Sequence, residues 1–268
     1  MGIKAFDYIR PADLAQARKA YEACGDARYI AGGQTLLPVM KQRLAQPASV
    51  IDLGRITGLS GIRIEGSTLT IGAMTRHADV AASPDVRRLI PALAHLAGLI
   101  GDPQVRNRGT LGGSLANNDP SADYPAAVLG LGATVHTDSR SIAADDFFNG
   151  LFTTALEDGE IIRAVSFPVP ERAAYEKFAH PASRFALVGV MVSQSSEGVR
   201  VAATGAGAAG VFRVVEMEDA LSKDFSAAAI ERIAVSPDDL IADMHAPAAY
   251  RAQLLGVLAR RAVTAALT

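Results

Sequence analysis

The chain is 268 residues long, 49% hydrophobic and 20% charged, with a formal net charge of −2. That balance suits a globular protein with a sizeable core, and it lacks the basic excess expected of a nucleic-acid binder. There is no run of about 18 apolar residues for a membrane span and no apolar N-terminal stretch of the signal-peptide kind, so a cytoplasmic protein is expected.

The single cysteine, Cys24, narrows the chemistry further. One thiol cannot make an internal disulfide, a Cys-rich zinc site or an all-Cys iron–sulfur site. The five histidines, His77, His95, His136, His180 and His245, show no metal-ligand spacing. Any redox chemistry must therefore come from an organic cofactor or from another chain.

In chain order, Pro11 to Cys24 predicts a helix with Leu14, Ala17 and Tyr21 on one face. A short strand at 29–31 then runs into Gly32-Gly33-Gln34-Thr35, and Leu36 to Leu44 resumes as a helix with Pro38 in its first turn. A strand–glycine loop–helix unit is where a phosphate meets free amides. A plain strand-to-helix turn has the same signature, since this is neither a Walker loop nor the six-residue dinucleotide fingerprint. Residues 49–53 predict a strand, and 62–64 with 69–71 a hairpin across Gly66-Ser67. His77 opens a short polar helix, where a surface or capping role outweighs that of a base with no acid nearby to orient it. Residues 86–100 predict an apolar helix interrupted by Pro91.

The most informative stretch is 106–125, with Gly109, Gly112 and Gly113 followed by Ser114, Asn117, Asn118, Asp119 and Asp123. Its glycine content argues against a stable helix. It reads as a loop aiming N–H groups at an anion, with a glycine-rich surface turn as the competing reading. A helix at 124–131, strands at 134–136 and 141–142, a helical turn at 145–148 and a strand at 160–165 follow. The Pro168-Val169-Pro170 segment marks a boundary. Beyond it, strands at 175–179, 187–194 and 199–203 predict an antiparallel meander, then helices near 215–221, 226–233 and 248–267. Gly205 to Gly210 matches Gly-x-Gly-x-x-Gly, with Asp224 near the ribose spacing. It follows a meander strand and precedes valines, and no parallel strands remain for a nucleotide-binding half, so it reads as a turn.

Several of these stretches together resemble one family. Ala31 to Pro38 is similar to the first flavin loop of the FAD-binding medium subunits of molybdenum hydroxylases, the group containing carbon monoxide dehydrogenase and xanthine dehydrogenase. Thr110 to Asn117, continued by Asp119-Pro120 and Ala122-Asp123, resembles the second loop. Residues 71–75, 104–109, 160–162, 177–178, 250–251 and 260–262 match in order, so the resemblance covers nearly the whole chain. It implies an α+β fold: a two-part FAD-binding domain of the vanillyl-alcohol-oxidase (PCMH) type over residues 1–170, with a small lobe at 1–56 and a larger one at 57–170. A C-terminal domain at 171–268 would carry a three-stranded antiparallel sheet and helices.

The resemblance also implies site residues. Ala31, Gly32, Gly33, Gln34, Thr35 and Leu36, with Thr110, Leu111, Gly112, Gly113 and Ser114, would cradle the FAD pyrophosphate through backbone N–H groups and hydroxyls. Asn117 would stand behind them. Asp123 would accept hydrogen bonds from the flavin polyol or ring, Ile161 and Ile162 would pack near the ring or adenosine, and Lys177 would approach the isoalloxazine. Phe185 stands where many members have a tyrosine. No residue here would act on an organic substrate. The implied protein is an FAD-carrying electron-transfer subunit with two partners, a large molybdopterin chain and a small chain bearing two [2Fe–2S] clusters, assembled as a dimer of heterotrimers. A self-sufficient flavin oxidase or reductase of the same fold, and a flavin-free assembly protein, are the alternatives.

Overall fold

A computed structural model describes residues 2–268. The chain opens with β1 (Asp7–Ile9), α1 (Leu14–Ala23), β2 (Ala27–Ile30), α2 (Leu36–Lys41) and β3 (Ser49–Asp52). These strands make a three-stranded parallel sheet in the order β1-β3-β2. Asp13 caps α1 by accepting from the Gln16 amide, and Ala17 from that helix packs with Ala27, Ile51 and Leu53. α2 ends sooner than the sequence suggests, because Arg43 turns the chain with φ of 60°.

The second lobe starts with the hairpin β4 (Ile62–Glu65) and β5 (Thr68–Gly72), then α3 (His77–Ala82), α4 (Pro84–Leu89), α5 (Pro91–Gly98), α6 (Pro103–Arg106), α7 (Leu111–Asn117) and α8 (Tyr124–Gly130). β6 (Thr134–Thr137), β7 (Ser141–Ala143), α9 (Ala144–Phe147), β8 (Phe148–Gly150), β9 (Thr153–Thr154) and β10 (Ile162–Pro168) complete it. Five of the strands form an antiparallel sheet, β4-β5-β10-β6-β7, whose inner face supports the helices. Proline at the first turn of α4, α5 and α6 explains why the run from 84 to 106 breaks into short helices.

The third sheet contains β11 (Arg172–Ala179), β12 (Ala186–Ser195), β13 (Gly198–Thr204) and the two-residue β14 (Phe212–Arg213), with α10 (Val215–Lys223) and α11 (Ala248–Ala266) packed on it. Four strands therefore stand where three were expected. A two-residue strand carries no alternation to read. The helix expected at 226–233 is only a single 3₁₀ turn at Ala228–Ile230. Eight residues with Ile230 alone buried among them are too few to hold an α-helix without more packing. The Gly205–Gly210 segment is a turn, as read: the Gly205 amide donates to the Pro120 carbonyl, 2.8 Å away, and no helix starts there.

The third sheet shares a core with the second lobe. Tyr175, Met191 and Ala202 lie in one apolar cluster with Leu69, Tyr124, Val128 and Phe167. Polar contacts run alongside: the Ser193 hydroxyl donates to the Gly130 carbonyl (2.6 Å), and the Thr204 hydroxyl donates to the carbonyl of Ala122 (2.7 Å). Among the described residues no helix is long and apolar enough to cross a membrane.

Candidate functional site

A cleft of about 710 Å³ runs between the first lobe and the helices of the second. That volume lies in the range of small-molecule and cofactor sites. Ala31, Gly32, Gly33, Gln34, Thr35 and Leu36 form one wall, and Thr110, Gly112, Gly113, Ser114 and Asn117 form the other. Asp123, Ile161 and Ile162 also line it.

The two walls differ in what their backbones can do. The amides of residues 32–36 donate to no acceptor among the described residues. Gly33 takes φ of +73°, which lets the chain curl between β2 and α2 without Cβ strain. Successive unpaired N–H groups ahead of a helix make a concave anion site. The opposite wall is not a loop but helix α7, contrary to the expectation from its glycines. Thr110 caps it by accepting from the Gly113 amide (3.2 Å), and Asn118 ends it with φ of 41°. The Leu111 amide donates to Thr75 (3.1 Å), Gly112 to Ala73 (2.8 Å) and Ser114 to the Thr110 carbonyl (3.0 Å). Most amides of this wall are thus already spent within the fold, and it faces the cleft with hydroxyls and side-chain amides instead.

Its glycines serve close approach. A Cβ on Gly112 would lie 2.6 Å from that of Ala73, and one on Gly109 would lie 2.5 Å from His77 Nε2. Across the cleft a Cβ on Gly32 would run into the Arg108 carbonyl and stand 2.8 Å from Gly109 Cα. The two walls touch at that point.

Two expected residues are not on the cleft surface. The Leu111 side chain is fully buried in the core of the second lobe, because the first residue of α7 turns inward. Lys177 does not reach the cleft wall. Its ammonium donates to Asp123 Oδ2 (2.9 Å) and to the Leu99 carbonyl (3.1 Å), with only 1% of its side chain exposed. The hydroxyl of Tyr175 donates to the other carboxylate oxygen of Asp123 at 2.6 Å. Burial pushes the Asp123 carboxyl above its usual range, and Lys177 and Tyr175 pull against that shift.

His77 corrects another expectation, since it is buried rather than on the surface. Its ring packs against that of Tyr124, with centroids 5.3 Å apart, and its Nδ1 has no hydrogen-bond partner among the described residues. Burial, helped by Arg106, lowers its pKa to about 4, so it is neutral at physiological pH. Sequence reading missed this because the packing against Gly109 and Tyr124 is tertiary.

Glu160 belongs to the matched stretch 160–162, but the sequence assigns it no role of its own. Its carboxylate takes hydrogen bonds from Arg140 (3.0 Å to each oxygen), the hydroxyls of Thr137 (2.7 Å) and Ser139 (2.9 Å), and the Glu157 amide (2.7 Å). This fixes the turn that delivers Ile161 and Ile162 to the cleft. Tyr21 braces the same turn from the first lobe through Asp158 (2.6 Å) while stacking on Tyr29. The Arg140 hydrogen bonds hold Glu160 at about 2, below the ordinary glutamate value of 4.5. A depressed folded-state pKa contributes stability that is full above 4.5 and is lost as pH falls towards 2. Chemical denaturation of wild type and Glu160→Gln across pH should therefore show a stability gap that is constant above pH 4.5 and closes in acid. A gap that stays constant down to pH 2 would contradict the assignment.

Free amides facing a hydroxyl-bearing helix across an elongated cleft are the geometry of a site for a phosphate-bearing organic cofactor. The chain belongs to the family described as the FAD binding domain in molybdopterin dehydrogenase, whose model matches residues 4–170. It is 36% identical to the carbon monoxide dehydrogenase medium chain of Hydrogenophaga pseudoflava, across 97% of this chain and 96% of that one. It is 38% identical to the nicotine 6-hydroxylase medium subunit of Paenarthrobacter nicotinovorans, across 99% of each. Among solved structures, carbon monoxide dehydrogenase from Hydrogenophaga pseudoflava superposes with a TM-score of 0.90 at 36% identity, covering 100% of this chain and 99% of that one. Quinoline 2-oxidoreductase from Pseudomonas putida 86 gives 0.89 at 31% identity, covering 99% and 98%.

Proposed function

We propose that this chain is the FAD-carrying electron-transfer subunit of a heteromeric molybdenum hydroxylase. Its partners are a large chain with the molybdopterin cofactor and a small chain with two [2Fe–2S] clusters. Electrons reach this subunit from those clusters and leave to an external acceptor. The observation that carries the reading is the row of unpaired amides at 32–36, set in a cleft of about 710 Å³ within the family-matched residues.

Bound FAD supplies the redox chemistry that accepts electrons from the clusters and passes them on. The chain's own residues bind and orient it. The amides of the Ala31–Leu36 turn hold the pyrophosphate, and the hydroxyls of Thr110 and Ser114 add donors from the facing wall. Asn117 supports that wall, Asp123 accepts from a hydroxyl or N–H of the flavin, and Ile161 and Ile162 cover an apolar part of the ligand. Lys177 works through Asp123. On this reading residues 1–170 form the FAD-binding domain of PCMH type, divided near residue 56, and 171–268 form the C-terminal domain; the change of sheet between β10 and β11 supports that division.

Purification alone and together with the chains encoded beside it tests the function. The expected result is a yellow protein that alone reduces artificial dyes without turning over an organic substrate, and that turns it over only with both partners. A colourless protein that never takes up FAD would overturn the proposal, and turnover by the single polypeptide would point to a self-sufficient flavin enzyme.

A further inference from the structure

We propose that Tyr175 is a positioning residue of the flavin site: together with Lys177 it fixes Asp123 as an acceptor-only group, to which the cofactor must present a hydroxyl or N–H. This rests on the FAD reading above and extends it to a residue outside the cleft.

Tyr175 and Lys177 are two apart on β11, so both project from one face of the sheet. The phenol donates to Asp123 Oδ1 (2.6 Å) and the ammonium to Oδ2 (2.9 Å), with all three side chains buried. Each carboxylate oxygen can accept more than one hydrogen bond, so each keeps capacity for a further donor. Asp123 reaches the cleft, and both its protein partners only donate to it. The group left facing the ligand is thus an oriented acceptor.

The neighbouring strand is shaped for this arrangement. Gly189 on β12 pairs with Lys177, and a Cβ there would run into the Tyr175 hydroxyl and lie 2.9 Å from its Cζ. The strand gives up a side chain where the phenol has to pass. A tyrosine serving only as core filler would not need its hydroxyl aimed through such a gap at a buried carboxylate.

The titratable groups around Asp123 are Tyr175 and Lys177 from β11 and Tyr124 beside it on α8, with His77 of α3 packed on the Tyr124 ring. Burial raises both tyrosines and lowers His77, so none of these three changes charge between about pH 6 and 8.5.

The test is fluorescence titration of apo-protein with FAD from about pH 6 to 8.5. Wild type should bind with an affinity that is flat across this range. Tyr175→Phe should weaken binding about tenfold, the effect of losing a hydrogen bond to a charged group. Its affinity should also rise with pH, because Asp123 without the phenol holds its proton to higher pH and a protonated carboxyl is a poorer acceptor. In an Asp123→Asn background, Tyr175→Phe should add no further loss, since the phenol acts through the carboxylate. A Tyr175→Phe variant with wild-type affinity and a flat profile would overturn the proposal, even if its melting temperature fell. Should that variant not fold, a wild-type affinity that drifts tenfold across the range would overturn it equally. Wild type that binds no FAD at any pH would instead remove the cofactor reading on which the proposal stands.

Discussion

Gly32→Ala is expected to give a protein that no longer retains FAD. A Cβ at this position would fall on the Arg108 carbonyl and lie 2.7 Å from that carbonyl carbon, and backbone cannot move aside as a flexible side chain can. The two cleft walls must separate, which misplaces the unpaired amides of 32–36 relative to Thr110 and Ser114. Overpacking of this kind costs on the order of 1–3 kcal/mol in stability. The loss in FAD affinity should be larger, about a hundredfold, because several hydrogen bonds to one anion fail together. Absorbance of the purified variant and titration of its apo-form measure both quantities. Gly25→Ala is the control, since nothing lies within 4 Å of its added Cβ, and it should stay yellow. A yellow Gly32→Ala protein with wild-type affinity would show that the walls need not touch.

Lys177→Met should be the most destabilising single change near the cleft. It leaves the Asp123 carboxylate buried with only the Tyr175 hydroxyl and takes a donor from the Leu99 carbonyl. Breaking a buried pair by removing one partner costs about 3–5 kcal/mol. The loss is capped because Asp123 can take up a proton, towards which burial already pushes it. Urea unfolding of the apo-form measures the effect. Lys177→Met combined with Asp123→Asn should recover part of it, since an amide is cheaper to bury than a charge. A Lys177→Met protein within about 1 kcal/mol of wild type would mean that water reaches Asp123 more freely than its 4% side-chain exposure suggests.

Much of this site could be read from local pattern. The Ala31–Leu36 unit announced itself by a strand, two glycines and a helix in which Pro38 is tolerated. Most of the expected residues do come together in one cleft. What local pattern left out were properties set by neighbours distant in sequence. Gly112 and Gly113 argue against a helix by propensity, yet α7 forms because the Thr110 cap and contact with Ala73 outweigh that preference. Lys177 promised a cation in the cleft, and only the position of Asp123, 54 residues earlier, shows that its charge is already used. His77 looked like a surface residue until Tyr124 and Gly109 closed over it. In the third sheet the long strands were legible as apolar runs between turns, and β14 was not, because two residues are too few to make a run.

The apolar cluster that joins Tyr175, Met191 and Ala202 to Tyr124 and Val128 has a consequence for how such chains can be cut and recombined. The family-matched segment stops at residue 170, but its helix α8 and the turn before it are roofed by strands that come later. Inherited module and folding unit therefore do not coincide. A shuffled gene that kept only the matched segment would expose Tyr124 and Val128 to water and lose both donors that hold Asp123. The tail of this chain is not severable cargo, and insertions are better tolerated at its hairpin tips than at the seam between the sheets.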